Sequence, residues 1–393
     1  MTDWQDRFRT LAEEAAVVRR HLHAHPELAF EEFETAKFVA EKLAASGYEV
    51  RTGIGGTGVV GTLRAGGGSR TLGLRADMDA LPIEEATGLP YASRTPGKMH
   101  ACGHDGHTAM LLGAAAHLAA TRNFDGTVHL IFQPAEEGKA GARRMMDDGL
   151  FEAFPCDAVY GLHNWPDLPV GRFNYRPGPM MASNDRITVR VLGKGAHGSA
   201  PHTGCDPIVA AASIVVMLQS VVGRNVDPLD AAVVSVTAVN AGSAFNIIPQ
   251  SAEMKLSIRT LDPAVRTAVN ARVRELIAAQ AQALGCRAEI VAAPGPYPVL
   301  VNDAEATEAA RDAARALFGA DAVFELARPV LGSEDFAFML EEQRGAYFLL
   351  GSGAPGAPAA ALHNPAYDFN DAALLPGIAF WAGLVETLLA PSK

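Results

Sequence analysis

The chain has 393 residues, with 33 lysines and arginines against 44 aspartates and glutamates, a net charge of -11 at pH 7, 49% apolar and 20% charged residues. That length exceeds what a single hydrophobic core usually serves, so two domains are expected, and the composition is that of an ordinary globular protein. The acidic balance argues against nucleic acid and anionic membrane surfaces as partners, because either calls for a basic face. The N-terminus, Met1-Thr2-Asp3-Trp4-Gln5-Asp6, lacks the basic-then-apolar layout of a signal peptide. The longest apolar run, 207–218, is shorter than the roughly 20 residues that span a bilayer, so cytoplasmic residence without a membrane partner is the expectation. Cys102, Cys156, Cys205 and Cys286 are scattered without the paired spacing of a disulfide framework. Three of them read as small buried residues, which leaves Cys102 as the one with chemistry.

Apolar positions at helical spacing over 4–23 predict a first helix, closed by His23-Ala24-His25-Pro26-Glu27 because a proline pushes the residue before it out of helical conformation. A second helical pattern covers 33–45. Short β-rich runs follow at 48–51, 59–63 and 71–75, separated by glycine clusters. The segment 72–77 reads as a strand that delivers Asp77 and Asp79 at its C-terminal end, where open α/β sheets place their sites. Helix 108–121, strand 127–132, helix 140–148 and strand 158–162 then alternate, which predicts an α/β fold with a mostly parallel sheet flanked by helices. From 186 the texture changes to strand 186–192, helix 207–222, strands 232–239 and 253–260, helix 263–284 and strand 288–291. That βαββαβ order makes a compact sheet with two helices on one face. An inserted α+β domain over 184–298 is therefore expected, dividing a catalytic domain made of 1–183 and 299–393. Helix 304–318, the loop Gly332-Ser333-Glu334-Asp335-Phe336, a strand near 347–350 and a final helix 372–389 complete the chain. The glycine-, proline- and alanine-rich stretch 351–361 reads as mobile.

The densest chemistry lies in Met99-His100-Ala101-Cys102-Gly103-His104-Asp105-Gly106-His107: one soft thiol, three imidazoles, a carboxylate and two glycines. Cys102 and His104 stand two apart, so on an extended or loop backbone their side chains emerge on the same side and can close on one ion. A polar loop capping a helix explains the stretch equally well if no other ligands converge. Downstream, Glu136 and Glu137 follow the strand 127–132; one can bind a metal while the other faces the space beside it. His163 and His363 each read, taken singly, as hydrogen-bonded structural histidines. His21, His23 and His25 read as loop and supporting groups.

The set Arg75-Ala76-Asp77-Met78-Asp79-Ala80-Leu81-Pro82, Cys102-Gly103-His104-Asp105-Gly106-His107, Glu136-Glu137-Gly138, Gly161-Leu162-His163 and Leu362-His363-Asn364 resembles the M20 metallopeptidase and aminoacylase family. The closest branch is the amidohydrolases that cleave N-acyl amino acids, including hippurate hydrolases and plant auxin-conjugate hydrolases. The likeness runs in order from about His21 to about Asp371. It implies two divalent ions held by Cys102, His104, Glu137, His163 and His363, with Glu136 as general base and then acid. Asp77 would orient an imidazole. The family's broader pattern has a metal-binding histidine where this chain has Arg75, which stays protonated and cannot ligate. That departure fits the branch in which Cys102 and His104 serve instead. Thiolate with imidazoles suits zinc, nickel or cobalt, and carboxylate with imidazole tolerates manganese, so ligand type leaves the metal open.

In Gly195-Ala196-His197-Gly198-Ser199-Ala200-Pro201-His202 the resemblance gives His197 the scissile carbonyl, while His202 reads as structural. Asn246 and Arg259 resemble the pair that grips the substrate's α-carboxylate, a task for which a planar guanidinium fork is suited. Arg259 alone would read as a surface ion pair. The implied activity is hydrolysis of the amide of an N-acyl amino acid, hippurate-like or N-acetyl-amino-acid-like, to a carboxylate and a free amino acid. The alternatives are a small-peptide hydrolase or N-acetyl-diaminopimelate deacetylase of the same family and, from another class, a catalytically silent metal- or ligand-binding protein. Glu136 beside a full ligand set speaks against the last. The inserted domain matches the family's lid or dimerisation domain, so a homodimer or higher oligomer through it is expected.

Overall fold

A computed structural model describes residues 3–292, 295–354 and 360–391; within the stretch read as mobile, residues 355–359 lie outside the described set. The chain divides into two compact units, Met1–Gly178 with Val301–Arg328 and Asp335–Lys393, and Pro179–Leu300 with Pro329–Glu334.

The first unit is built on an eight-stranded sheet in the order Glu49–Ile54, Gly58–Ala65, Gly126–Gln133, Thr71–Asp77, Ala158–Pro169, Gly345–Gly353, Phe173–Tyr175 and Val323–Glu325. The run from Gly126–Gln133 to Gly345–Gly353 is parallel throughout, and antiparallel strands flank it on both sides. Parallel strands are covered on both faces, which is why Thr71–Asp77 and Gly345–Gly353 are buried almost end to end. The strands Phe173–Tyr175 and Val323–Glu325 escape the sequence reading because three residues are too few to display a period.

Helices Asp3–Ala24, His104–Thr121 and Leu374–Leu388 pack on one another beside this sheet. Met110, Leu118, Phe348, Phe380 and Trp381 fill the core between. His104–Thr121 begins four residues before the expected 108, because Gly103 takes a left-handed φ of 93° and its carbonyl accepts from Gly106 and His107. His104, Asp105 and His107 therefore occupy a buried first helical turn, not a loop.

The second unit is a four-stranded antiparallel sheet in the order Ala232–Ala241, Ser251–Thr260, Asp185–Leu192 and Arg287–Ala292. Helices Pro207–Asn225 and Pro263–Ala283 each start with an aspartate, Asp206 or Asp262, whose side chain accepts from two backbone amides, followed by a proline at the first position. Strict alternation of buried and outward residues along Asp185–Leu192 sends Ile187, Val189 and Val191 into one core with Ile214, Leu218, Val273 and Ile277. Helix Pro207–Asn225 extends beyond the apolar run counted in the sequence. By length and composition it and the segment Asp371–Leu388 are sufficient to cross a bilayer. Pro207–Asn225 buries Ala210, Ile214, Leu218 and Val221 against its own sheet, and Leu374–Leu388 is buried in the first unit's core.

Candidate metal centre

The carboxyl ends of the parallel strands bring the chemistry together. Asp77 closes one strand and Gln133 its neighbour, just before Glu136 and Glu137, while His163 lies within Ala158–Pro169 opposite Leu349. Cys102 precedes Gly103, where a Cβ would come within 2.3 Å of Asn164 Oδ1; the tight approach and the positive φ both require glycine. His163 donates from Nδ1 to the carbonyl of Asn164 at 2.7 Å, leaving the Nε2 lone pair 3.5 Å from Cys102 Sγ. His363 takes a left-handed φ of 65° and is tied by its N–H to the carbonyl of Ala101 at 2.8 Å. That tie sets its Nε2 3.1 Å from Glu137 Oε1.

Donor atoms of Cys102, His104 and His163 lie within 4.8 Å of one another, as do those of Cys102, Glu137 and His363 and those of His104, Glu136 and Glu137. Cys102, His104 and Glu137 each belong to two of these groups, so the groups link all five expected ligands to one another and to Glu136. His104 Nε2 is buried without a hydrogen-bond partner, and Glu137 Oε1, despite its closeness to His363, makes no hydrogen bond of proper geometry. Buried polar atoms are nearly always satisfied, so orphan donors among a thiol, imidazoles and a carboxylate fit divalent transition ions.

The local electrostatics run the same way. Burial, reinforced by Glu137, Glu136 and Asp77, pushes the Cys102 thiol far up. Burial and the neighbouring His107 hold His163 well below the usual imidazole range. Burial would lower His104 too, but the charges of Asp77, Asp79 and Glu137 overcome it and raise that imidazole to about 10. Burial opposes ionisation of Glu137, yet its contacts with His363 and His104 bring its carboxyl below the usual range. A bound cation reverses the penalty on the thiolate, since its own charge dominates such a site.

The contacts of the supporting groups were not legible in the sequence. Asp79 accepts the Glu136 N–H at 3.0 Å and the Glu137 N–H at 2.9 Å, and lies 3.3 Å from His104 Nδ1. The imidazole closest to Asp77 is that of His107, at 2.6 Å, while His104 Nε2 is 3.7 Å away. His107 Nε2 lies 2.6 Å from Asn164 Oδ1, and Asn164 donates to the Tyr367 hydroxyl at 2.7 Å. Arg75, fully buried, donates to Asp77 at 2.8 Å, Gln133 at 2.8 Å and Asp335 at 3.1 Å. Asp335 also accepts from the Ala142 N–H at 2.9 Å. The only sequence signal for Asp79 was its place just past a strand end, and nothing local tied Asp335 to Arg75. Of the N-terminal histidines, His23 is buried with Nδ1 2.9 Å from Asp105, whereas His21 and His25 lie ring to ring near the surface. The four cysteines are unpaired; Cys102 and Cys286 are buried, Cys156 and Cys205 only partly.

Replacing Arg75 by Met is expected to lower unfolding free energy by about 3–5 kcal/mol, because two buried carboxylates lose their common cation. Arg143→Ala, which breaks an exposed pair with Asp147, is expected to cost no more than about 1 kcal/mol. Urea denaturation of both variants checks the contrast; similar midpoints would refute it.

In the second unit, His197 lies exposed in the short strand Ala196–His197, in register with Ile247, and its Nδ1 is 2.7 Å from Ser199 Oγ. Gly198 donates to the carbonyl of Asn246 at 2.8 Å, which sets His197 and Asn246 side by side. Arg259, partly exposed opposite Val233, donates to the carbonyl of Leu331 at 2.7 Å. His202 sits in the turn Pro201–Thr203.

A mixed α/β unit whose strand ends gather candidate metal-ligating side chains beside the carboxyl of Glu136 is the arrangement of a metal-dependent amidohydrolase. Residues 73–387 match the model of peptidase family M20/M25/M40, and the chain belongs to that family. It is 46% identical over 371 residues to the hippurate hydrolase of Campylobacter jejuni, covering 93% of this chain and 94% of that one. It is 41% identical over 383 residues to the N-acetyl-L-cysteine deacetylase of Bacillus subtilis, covering 97% and 89%. The crystal structure of the Bacillus subtilis YXEP protein, a dinuclear metal binding peptidase of the M20 family, superposes with a TM-score of 0.83 at 36% identity, over 97% of this chain and 99% of that one.

Proposed function

We propose that Cys102, His104, Glu137, His163 and His363 hold two divalent ions, of manganese, zinc, cobalt or nickel, and that the enzyme hydrolyses the amide of N-acyl amino acids in the cytoplasm. The observation that carries this reading is the convergence of those five donors beside the carboxyl of Glu136. When bound, the ions supply Lewis acidity and lower the proton affinity of water toward a pKa of about 7. Glu136 takes the proton of the attacking water and returns it to the departing amine, which is too poor a leaving group without it. Asp79 fixes the amides of both glutamates, and Asp77, held by Arg75, steadies the imidazoles behind the ligands. His197 stabilises the developing oxyanion. Asn246 and Arg259 grip the free α-carboxylate of the substrate, with the second unit acting as lid and as the surface through which copies of the chain associate.

Hippurate and N-acetyl-L-cysteine are both N-acyl amino acids, and these names on the relatives favour that class over small peptides or N-acetyl-diaminopimelate. Retention of Glu136 beside the ligand set favours catalysis over silent binding. Arg259→Ala is expected to raise KM for N-benzoyl- and N-acetyl-amino acids by about 10²-fold, the loss of a charge-assisted contact. The matching amides without a carboxylate should show a KM change under about threefold. An equal effect on both substrate sets, by steady-state kinetics, would remove carboxylate gripping from the reading.

A further inference from the structure

The turn that presents Glu136 and Glu137 is held from outside the cluster. Ala135 sits at φ 54°, ψ 39°, and Ala140 at φ 57°, ψ 51°, both in the left-handed region that side-chain-bearing residues avoid. Such a conformation persists only where the surroundings over-determine it. The Ala135 N–H donates at 2.9 Å to Oε1 of Glu32, whose side chain is wholly buried, and the other Glu32 oxygen accepts from the Thr57 hydroxyl at 2.5 Å. Lys139 Nζ donates to the carbonyl of Ala29 at 3.1 Å, a second tie between the same two segments.

Glu32 occupies the N-cap of helix Phe33–Ala45, a position where short side chains such as Asp or Ser accept from the amides of the first turn. It makes no such bond. Glu27 caps the helix instead, accepting from the amides of Glu34 at 3.1 Å and Thr35 at 2.8 Å. The Glu32 carboxyl instead reaches a backbone group 103 positions away. Burial pushes that carboxyl up to about 7, against the Thr57 hydroxyl, which lowers it, and with the help of Asp79, which raises it. An acid buried at such expense and bonded to a backbone group so far along the chain points to a specific demand at its far end.

We propose that Glu32 is a positioning residue for the hydrolytic reaction: by holding the Ala135 N–H it fixes the left-handed turn that aims the Glu136 carboxyl into the ligand cluster. The proposal rests on the reading of Glu136 as the proton carrier. Asp79 clamps the two glutamate amides from one side and Glu32 clamps the preceding amide from the other, so three consecutive N–H groups end on buried carboxylates from two distant segments.

The test uses the full, metal-loaded enzyme, with kcat, KM, metal content and Tm measured for each variant. Glu32→Ala is expected to lower kcat by about 10- to 100-fold, as misplacement of a catalytic group by a fraction of an ångström to an ångström does, with KM within about threefold and metal content unchanged. Glu32→Gln keeps an oxygen for the Ala135 N–H and should retain kcat within about threefold. Thr57→Val loses only the outer hydrogen bond and should lower Tm while leaving kcat in place. Should the alanine variant not fold, Glu32→Asp, which draws the carboxyl back by one methylene, is expected to lose about tenfold in kcat. A folded alanine or aspartate variant with wild-type kcat overturns the proposal, as does a glutamine variant no better than alanine. In a Glu136→Gln background, Glu32→Ala is expected to change the residual rate by less than about twofold, because both changes act through one group. A further drop equal to that seen in the wild-type background places the action of Glu32 elsewhere and overturns the proposal while sparing Glu136. Wild-type turnover by Glu136→Gln alone would instead remove the reading beneath it.

Discussion

Glu136→Gln is expected to lower kcat by about 10²–10⁴-fold, the range by which positioned acid–base groups accelerate proton transfer, while metal content stays at the wild-type level. The amide replaces a carboxylate almost atom for atom, and the backbone contact that places residue 136, its N–H to Asp79 at 3.0 Å, is untouched. What disappears is the capacity to take a proton from water and hand it to the amine. Glu137, the adjacent residue proposed as a ligand, keeps its own N–H to Asp79 and its approach to His363, so the cluster should remain intact. KM should move little, because the lost interaction belongs to the transition state. Steady-state kinetics with metal analysis on the same sample decides the matter. Turnover within tenfold of wild type, at full metal content, would take Glu136 out of the mechanism.

Cys102→Ser should cost nearly all activity by a different route. The thiol belongs to two of the three ligand groups that meet around Glu136, so its loss weakens both halves of the cluster together. Partners that only orient a ligand are worth about 10–100-fold in metal affinity; a direct donor shared by both groups should cost at least about 100-fold. The expected result is less than half the wild-type metal content after dialysis and a matching loss of kcat, partly restored by excess metal. Treatment of the wild-type enzyme with chelator should abolish turnover and lower Tm, because a ligand present at about 1,000 times its dissociation constant contributes roughly 4 kcal/mol to the folded state. Cys286→Ser is the control: that thiol is buried in the core of the other unit, so stability should fall while metal content does not. Full occupancy in Cys102→Ser would exclude the thiol as an essential donor.

The two experiments separate the parts of the centre. A variant that keeps its metal and loses turnover identifies the proton carrier, and one that loses both identifies a ligand. Arg75 belongs to neither kind. Its guanidinium neutralises Asp77 and Asp335 in the buried layer behind the cluster. Its part is structural charge balance, which a stability measurement reads and a metal analysis does not.

Much of the architecture could be read along the chain because it is written in short-range periods. The helix Ala304–Phe318 and the helix Phe33–Ala45 end where their apolar spacing ends. The alternation along Asp185–Leu192 announces a sheet with one covered face, and the apolar run 127–132 announces a buried strand. The donors Cys102, His104, Glu136, Glu137, His163 and His363 were recognisable as residue types in ordered motifs, since the chemistry of a metal site demands those types and few others. The start of helix His104–Thr121 was misjudged because its first turn is polar, and a period built on apolar residues does not register there.

Tertiary structure alone decided which groups touch. No local rule connects Glu32 with Ala135, Asp79 with two amides beyond the next strand, or Arg75 with Asp335. Each contact forms because segments distant in sequence are brought together around the ends of the strands, where a carboxylate's free energy depends on what the fold brings within a few ångströms of it. Side-chain type, pattern and order sufficed to name the family and its candidate ligands; the direction in which each carboxylate points, and so which acids ligate, which carry protons and which hold others still, belongs to the packed chain.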